Sequence, residues 1–359
     1  MKQNNYIAIM AGGVGSRFWP ASREAQPKQF IDMLGMGRSL LQMTYDRFLP
    51  LVDNENIFCV TNEAYLELVG KHLPQLPSYN VIGEPSRNNT APSVLLTAIL
   101  IAKNDPKAVI GFVPSDHLIL KDDYYRNLCD EAFNYARDNE AIVTLGIQPT
   151  RPDTGFGYIN YNKSPLQNNL HKVIAFREKP ELEKAISFIE SGDYLWNAGM
   201  FFMSVKTLFK AYKELAPELY NMLEPLMKAQ TQPEIKKLIT KLYPQTPNLS
   251  IDYAIIEKSK EVYTIPSDIG WSDLGTWASL FQEVDKDENG NAIMSKHVIL
   301  ENVSNTLVKN STDKLIILRD VENLIIVEEE DVLMIYPMSK EQEIKQLGVK
   351  VKDKFGRYL

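Results

Sequence analysis

Short apolar runs alternate with amphipathic stretches through the first two-thirds of the chain. The runs at 6–10, 57–60, 81–82, 108–113 and 141–147 are brief and rich in β-branched residues, which predicts buried strands. Between them, Leu41, Tyr45, Phe48 and Leu49 share one helical face, and 91–103 reads as a strongly apolar helix with Pro92 tolerated in its first turn. This alternation predicts an α/β fold with a mainly parallel sheet covered on both faces. Ligands of such sheets bind beyond the carboxyl ends of the strands, which directs attention to the loops after Met10, Ile82 and Val113.

Around 158–177 the pattern becomes hairpin-like, and from about 181 to 257 it reads as helical again. After 277–281 the character changes. DKDENG at 285–290 is a polar, turn-rich linker, and short strands are expected at 298–300, 306–308, 315–318, 324–327 and 332–336. The spacing suits a small β-rich domain or a short β-solenoid, although no fixed period stands out. Two domains are therefore expected, 1–284 and 285–359. The basic tail KQLGVKVKDKFGRYL reads as a surface helix that frays.

A chain of 359 residues, 44% hydrophobic, has ample material for a buried core without staples. Cys59 and Cys129 lie far apart in no paired motif, so buried free thiols in a reducing compartment are expected. The opening apolar run is too short for a signal peptide, and no later stretch reaches spanning length without a charge. A cytoplasmic protein without membrane attachment is expected. The net charge of −7 argues against a dedicated nucleic-acid binder, whose partner demands a basic face. A small anion can still bind where cations gather locally.

Such a gathering follows the first strand. Gly12, Gly13 and Gly15 would let backbone N–H groups approach an anion, and Arg17 adds a forked donor for phosphate oxygens. The loop is not a P-loop, which would end in Gly-Lys-Ser/Thr, and Phe18 stands where a dinucleotide fold wants a third glycine. Two further cations follow, Arg23 and Lys28, the latter held extended after Pro27.

AGGVGSRFWPASREAQPKQF at 11–30 resembles the nucleotide-binding signature of the sugar-1-phosphate nucleotidyltransferases, in the Trp-Pro and Pro-Lys-Gln-Phe variant of the mannose-1-phosphate guanylyltransferases. Further matches follow in order: EPSRNNTAP at 84–92, PSDH at 114–117, GFGYI at 155–159, FREKP at 176–180, WNAGMF at 196–201, SIDYAIIEK at 250–258 and GWSDLGTW at 270–277. They cover nearly the whole chain. Departures are Phe18, where leucine is commoner, and an extra asparagine in the Arg-Asn-Asn-Thr stretch, so Asn88 and Asn89 compete for one role.

The resemblance implies a Rossmann-like catalytic domain that transfers GMP from GTP to mannose 1-phosphate with Mg²⁺. It implies catalysis by Arg17 and Lys28, and nucleotide binding by the loop glycines with Glu84, Asn89 and Thr90. It implies sugar-phosphate binding by Gly157, Glu178, Lys179, Asn197 and Gly199, and metal binding by Asp116 and Asp273. Each has an ordinary rival reading. Asp116 could form a turn, Asp273 could cap a helix starting near Gly275, and Asn197 could belong to a turn before a strand at 200–204. Thr90 reads as a helix N-cap in any case. Two carboxylates beside a polyphosphate answer a charge problem that caps do not, which favours the metal. Asp252 and Glu257 lie on neighbouring helix faces, where surface solvation competes with a role in the site. His117 reads as structural.

Alternatives are another nucleotide and hexose-phosphate pair, or a non-catalytic sugar-nucleotide sensor; the joint presence of cations and carboxylates speaks against the latter. The β-rich domain is read as the place where copies of the chain assemble. Some relatives carry a cupin-type isomerase domain after it. About twenty residues follow the last expected strand, too few for one, so no isomerase activity is expected.

Overall fold

A computed structural model describes residues 4–358. Contacts divide the chain into two compact units: 1–12, 45–114 and 119–271 form the first, and 13–44, 115–118 and 272–359 the second.

The first unit is built on a nine-stranded sheet. Its strands are β1 (Asn5–Ala11), β2 (Ile57–Asn62), β3 (Val81–Glu84), β4 (Val109–Pro114), β6 (Ile142–Ile147), β7 (Tyr158–Tyr161), β8 (His171–Arg177), β9 (Tyr194–Ser204) and β10 (Val262–Ser267). The two-residue strands β5 (Leu118–Ile119) and β11 (Trp271–Ser272) stand apart from it. The order is β3-β2-β1-β4-β9-β6-β10-β8-β7, with β9 also meeting β7. The pairs β3/β2, β2/β1, β1/β4 and β6/β10 are parallel. β9 is antiparallel to β4, β6 and β7.

Alternation along the strands buries both faces. Phe201 joins Ala8, Ile110 and the helix Thr90–Ala102 in one cluster, while Phe202 packs edge-on against Phe133 of the helix Asp122–Asp138 at 5.0 Å. Met10 is in register with Pro114, so the chain leaves β1 and β4 at the same end of the sheet. Cys59 and Cys129 are buried and free, and burial pushes the Cys59 thiol up to about 12. Among the described residues no helix is long and apolar enough to cross a membrane.

The second unit contains the expected β-rich region. β12 (Ala292–Met294), β14 (Leu307–Asn310), β16 (Leu324–Glu328) and β17 (Leu333–Pro337) form one sheet, and β13 (Val298–Ser304) pairs with β15 (Ile316–Glu322). Leu307 faces Ile325 and Val298 faces Ile316, each 18 residues on, as in successive coils of a solenoid. Ala292 faces Leu307, only 15 residues on. The first coil is shorter, which hides the period from the sequence.

The boundary expected at 284/285 falls inside this second unit. Its core joins Phe18, Trp19 and Met33 from the early loop to Leu274, Trp277 and Leu280, and then to Ile325, Val327 and Ile344. Apolar side chains of 13–44 find their burial there, so the division is not linear in sequence.

Three local expectations change. The stretch from 181 to 257 is not continuously helical, because β9 runs for 11 residues within it, and Asn197 is part of that strand rather than of a preceding turn. The cap of the helix Thr90–Ala102 is Asn89, whose side chain accepts the Thr90 N–H while its backbone is held at φ 66 and ψ −172, a region nearly confined to glycine. Thr90 instead accepts the Ile251 N–H at 2.9 Å. Asp273 is not a cap either: the helix Trp277–Glu283 is capped by Thr276, in a reciprocal box with Ser279.

Candidate active site

The second unit holds a cavity of about 300 Å³ at the glycine loop, lined by Gly15, Arg17, Lys28, Asp116, His117 and Asp273 among others. Gly15 has φ +77, and a Cβ there would stand 2.5 Å from the Lys28 Cβ. Only glycine supplies that turn and leaves room for the lysine stem. The Lys28 N–H donates to the Val14 carbonyl at 3.1 Å, which ties the two ends of the loop together.

Lys28 does not stand in an extended stretch as expected but opens a single 3₁₀ turn, Lys28–Phe30, and is buried, at 3% exposure. Its Nζ donates to Asp116 Oδ2 at 3.0 Å and to the Asp273 carbonyl at 2.8 Å, and lies 5.6 Å from the centre of the Phe18 ring. Burial alone would raise the Asp116 carboxyl, but Lys28 and the His117 charge outweigh it and hold the group below the usual aspartate value. Arg17 is exposed at the cavity, and neither it nor the Asp273 carboxylate enters an ion pair among the described residues. Gly13 flanks the loop with open space around its Cα, and its carbonyl accepts from Gln29 Nε2 at 3.0 Å.

No group of three or more His, Cys, Asp or Glu side chains is arranged to hold a metal among the described residues. The donor set nonetheless fits Mg²⁺, which takes one or two protein carboxylates and fills its remaining positions with water and phosphate oxygens. Asp116 and Asp273 supply two hard carboxylates in one cavity, and among the described residues no cation engages the second.

In the first unit, Gly12 stands beside Glu84: a Cβ on the glycine would lie 3.7 Å from Glu84 Oε2. The Tyr243 hydroxyl donates to Glu84 Oε1, and burial, working against that bond, raises the Glu84 carboxyl. Asn88 is consumed by the scaffold, its amide donating to the Tyr243 and Thr246 carbonyls at 2.9 Å. Asn89 is exposed. Asn88 thus pins the segment around Tyr243 and Thr246, and Asn89 caps the helix.

The expected sugar-phosphate residues also converge within the first unit. Gly157 lies against Glu178, where a Cβ would come 2.6 Å from Oε2. Lys179 follows with φ 45, its N–H on the Phe156 carbonyl at 3.1 Å and its Nζ on Glu178 Oε1 at 3.0 Å. Such a conformation is uncommon for a lysine and is among the kinds of backbone strain that recur at functional sites. Asn197 takes a hydrogen bond from Thr144 Oγ1 and from the Gly199 N–H, each at 3.1 Å. Between Thr144 and Gly146, β9 advances from Phe201 to Asn197, so two extra residues bulge out around Gly199. The bulge re-aims Asn197.

The sequence left Asp252 undecided, and the structure brings it to this cluster. Asn197 Nδ2 donates to Asp252 Oδ1 at 3.1 Å. The segment Asp252–Ile256 is a π-turn, in which the Glu257 N–H returns to the Asp252 carbonyl at 2.9 Å. Asp252 thus faces Asn197, while Glu257 pairs with Arg177 at 3.2 Å. Burial first, and the charge of Glu178 second, push the Asp252 carboxyl up to about 7. An aromatic wall that motif reading missed adjoins the cluster: Phe156 meets Trp196 at 5.0 Å and Trp271 at 5.3 Å, with Arg151 over Trp196. Its only sequence signal was aromatic residues inside the matched motifs.

A mannose-1-phosphate guanylyltransferase of Klebsiella pneumoniae is 34% identical over 344 residues, covering 94% of this chain and 72% of that protein. The alginate biosynthesis protein AlgA of Pseudomonas fluorescens is 32% identical over 343 residues, covering 94% and 70%. A crystal structure from Thermus thermophilus, described as a mannose-1-phosphate geranyltransferase, superposes with a TM-score of 0.87 at 26% identity, covering 98% of this chain and all of that one. Residues 7–290 match the nucleotidyl transferase family model, and with these likenesses the chain belongs to the nucleotidyl transferase family.

Proposed function

We propose that this chain transfers GMP from GTP to mannose 1-phosphate, giving GDP-mannose and pyrophosphate. The observation that carries the chemistry is the Lys28 bridge: a buried ammonium joins the Asp116 carboxylate to the Asp273 backbone inside a glycine-loop cavity that also holds Arg17. The choice of GTP and mannose 1-phosphate rests on the motif variants and on the named relatives at 32–34% identity.

A sugar-phosphate oxygen forms the new P–O bond at the α-phosphorus as the bond to pyrophosphate breaks. No covalent intermediate with the protein is required, so the chain's task is positioning and charge neutralisation. Arg17 offers a bidentate fork to the departing phosphates, and Lys28 a point charge at the α-phosphate. Asp116 and Asp273 would hold Mg²⁺, which supplies Lewis-acid neutralisation of phosphate charge. Glu178 and Asn197 would accept and donate hydrogen bonds to sugar hydroxyls, and Lys179 would neutralise the sugar phosphate. A cytoplasmic setting fits the two buried free thiols.

The test is a pyrophosphate-release screen of four nucleoside triphosphates against mannose and glucose 1-phosphates. GTP with mannose 1-phosphate should give the highest kcat/KM. A clear preference for another pair overturns the substrate assignment, and no release with any pair overturns the catalytic reading.

A further inference from the structure

We propose that Lys345, carried by the C-terminal helix (Ile344–Phe355), is a third phosphate-contacting cation of the glycine-loop cavity and grips the end of the triphosphate that leaves as pyrophosphate. The inference deepens the proposed function and rests on it for the identity of the nucleotide. Lys345 lines the same cavity as Gly15, Arg17, Lys28, Asp116 and Asp273. All of these residues belong to the second unit.

The lysine is delivered by a firmly seated backbone. Its neighbour Ile344 has no exposed surface and packs in the core with Phe18, Trp277 and Leu280. One turn earlier, the buried Glu341 accepts the Ala278 N–H at 3.3 Å, fastening this segment to the helix that follows Asp273 and Gly275. At the far end, Trp19 Nε1 donates to the Tyr358 carbonyl at 3.0 Å. The C-terminal helix is thus anchored at both ends to segments adjoining the phosphate loop.

Helix stability does not account for a cation at this position. Lys345 stands in the first turn, where a positive charge opposes the helix dipole, whereas Lys352 and Lys354 occupy the favourable last turn. Its side chain is exposed at the cavity and enters no ion pair among the described residues. Lys28 is paired with Asp116, so the lysine and arginine of the cavity that carry no ion pair among the described residues are Arg17 and Lys345. Both are exposed while Lys28 is buried, which assigns them to the outer, departing phosphates and Lys28 to the reacting one.

The test compares Lys345→Gln, Lys345→Arg and the control Lys350→Gln, an exposed position on the same helix away from the cavity. Binding of inorganic pyrophosphate to the full chain is measured by calorimetry, alongside KM for GTP and for mannose 1-phosphate. Lys345→Gln should weaken pyrophosphate binding and raise the GTP KM roughly tenfold or more, as expected for a lost charge-assisted contact, with the sugar-phosphate KM unmoved. Lys345→Arg should restore most of the loss, and Lys350→Gln should match wild type. Unchanged pyrophosphate binding in Lys345→Gln overturns the inference, as does an equal loss in Lys350→Gln or no rescue by arginine. If wild type makes no GDP-mannose yet binds pyrophosphate in a Lys345-dependent way, the proposed function falls and the Lys345 contact stands.

Discussion

Lys28 and Asp116 form an asymmetric pair: the ammonium is almost fully buried while a third of the carboxylate side chain is exposed, and 3.0 Å separates them. The lysine depends on the aspartate for its counter-charge, and the aspartate keeps a face toward the cavity. Asp273 enters the same arrangement through its backbone carbonyl, which leaves its carboxylate uncommitted.

This asymmetry separates two substitutions that would otherwise look equivalent. Asp116→Asn and Asp273→Asn should both nearly abolish pyrophosphate release and shift its Mg²⁺ dependence. Only Asp116→Asn should also destabilise the fold, because it strands the buried Lys28 charge. A cost of roughly 1–3 kcal/mol is expected, below the range for a fully buried pair since the carboxylate is partly solvated. Thermal unfolding and release assays on both variants decide the matter. Near-wild-type rates with ordinary Mg²⁺ dependence would remove both residues from the metal site.

Gly15 makes the same point from the backbone. Gly15→Ala places a methyl 2.5 Å from the Lys28 Cβ at a φ of +77. The left-handed conformation alone costs roughly 1–2 kcal/mol for an L-residue, and displacement of the lysine adds to it. The expected result is a lower Tm together with a fall in kcat. By contrast, Gly13→Ala meets open space and should keep its Tm. Equal melting temperatures for the two variants would show that the loop rearranges freely and does not position Lys28.

Much of this was legible in the chain itself. The parallel strands β1–β4, the loops at their carboxyl ends and the convergence of Glu178, Lys179 and Asn197 follow from short apolar runs and motif order. Three things did not follow. Only 200–204 of β9 was legible as strand; its first half was hidden because a strand buried on both faces carries no alternation, and its bulge at Gly199 breaks the run further. The second unit was misdivided because burial of Phe18 and Trp19 against Ile325 and Ile344 joins positions some three hundred residues apart, which no local pattern records. Lys345 was passed over as part of a fraying tail, since only the burial of Ile344 reveals that the tail is seated.

Assembly through the β-rich region, a proposal from the sequence, now has a specific face to test. Ile299 and Ile317 are register partners on β13 and β15, 47% and 62% exposed, beside a Glu301–Arg319 pair at 3.2 Å. If copies of the chain pack through this sheet, Ile317→Asp should reduce the oligomer size measured by light scattering and leave pyrophosphate release intact. An unchanged oligomer excludes this face. Truncation after Val284 is a poor alternative test, because it would strip Ile325, Val327 and Ile344 from the core around Phe18 and Trp277.

Asp252 gives a prediction that depends on pH with a definite sign. Its carboxyl is raised to about 7 in the folded protein by burial and by Glu178, against an ordinary value of 3.8 when unfolded. Between these values the folded state binds more protons than the unfolded state, so this group makes stability fall as pH rises from about 4 to about 7, and it adds no further change above. Asparagine mimics the neutral carboxyl and keeps an oxygen to accept the Asn197 amide. The stability gained in Asp252→Asn relative to wild type should therefore grow between pH 5 and pH 8, as every other titrating group is shared by the two proteins. Denaturant unfolding at several pH values measures that difference. A gap that stays constant, or shrinks as pH rises, would mean that Asp252 is ionised across the whole range and that Lys179 compensates its charge.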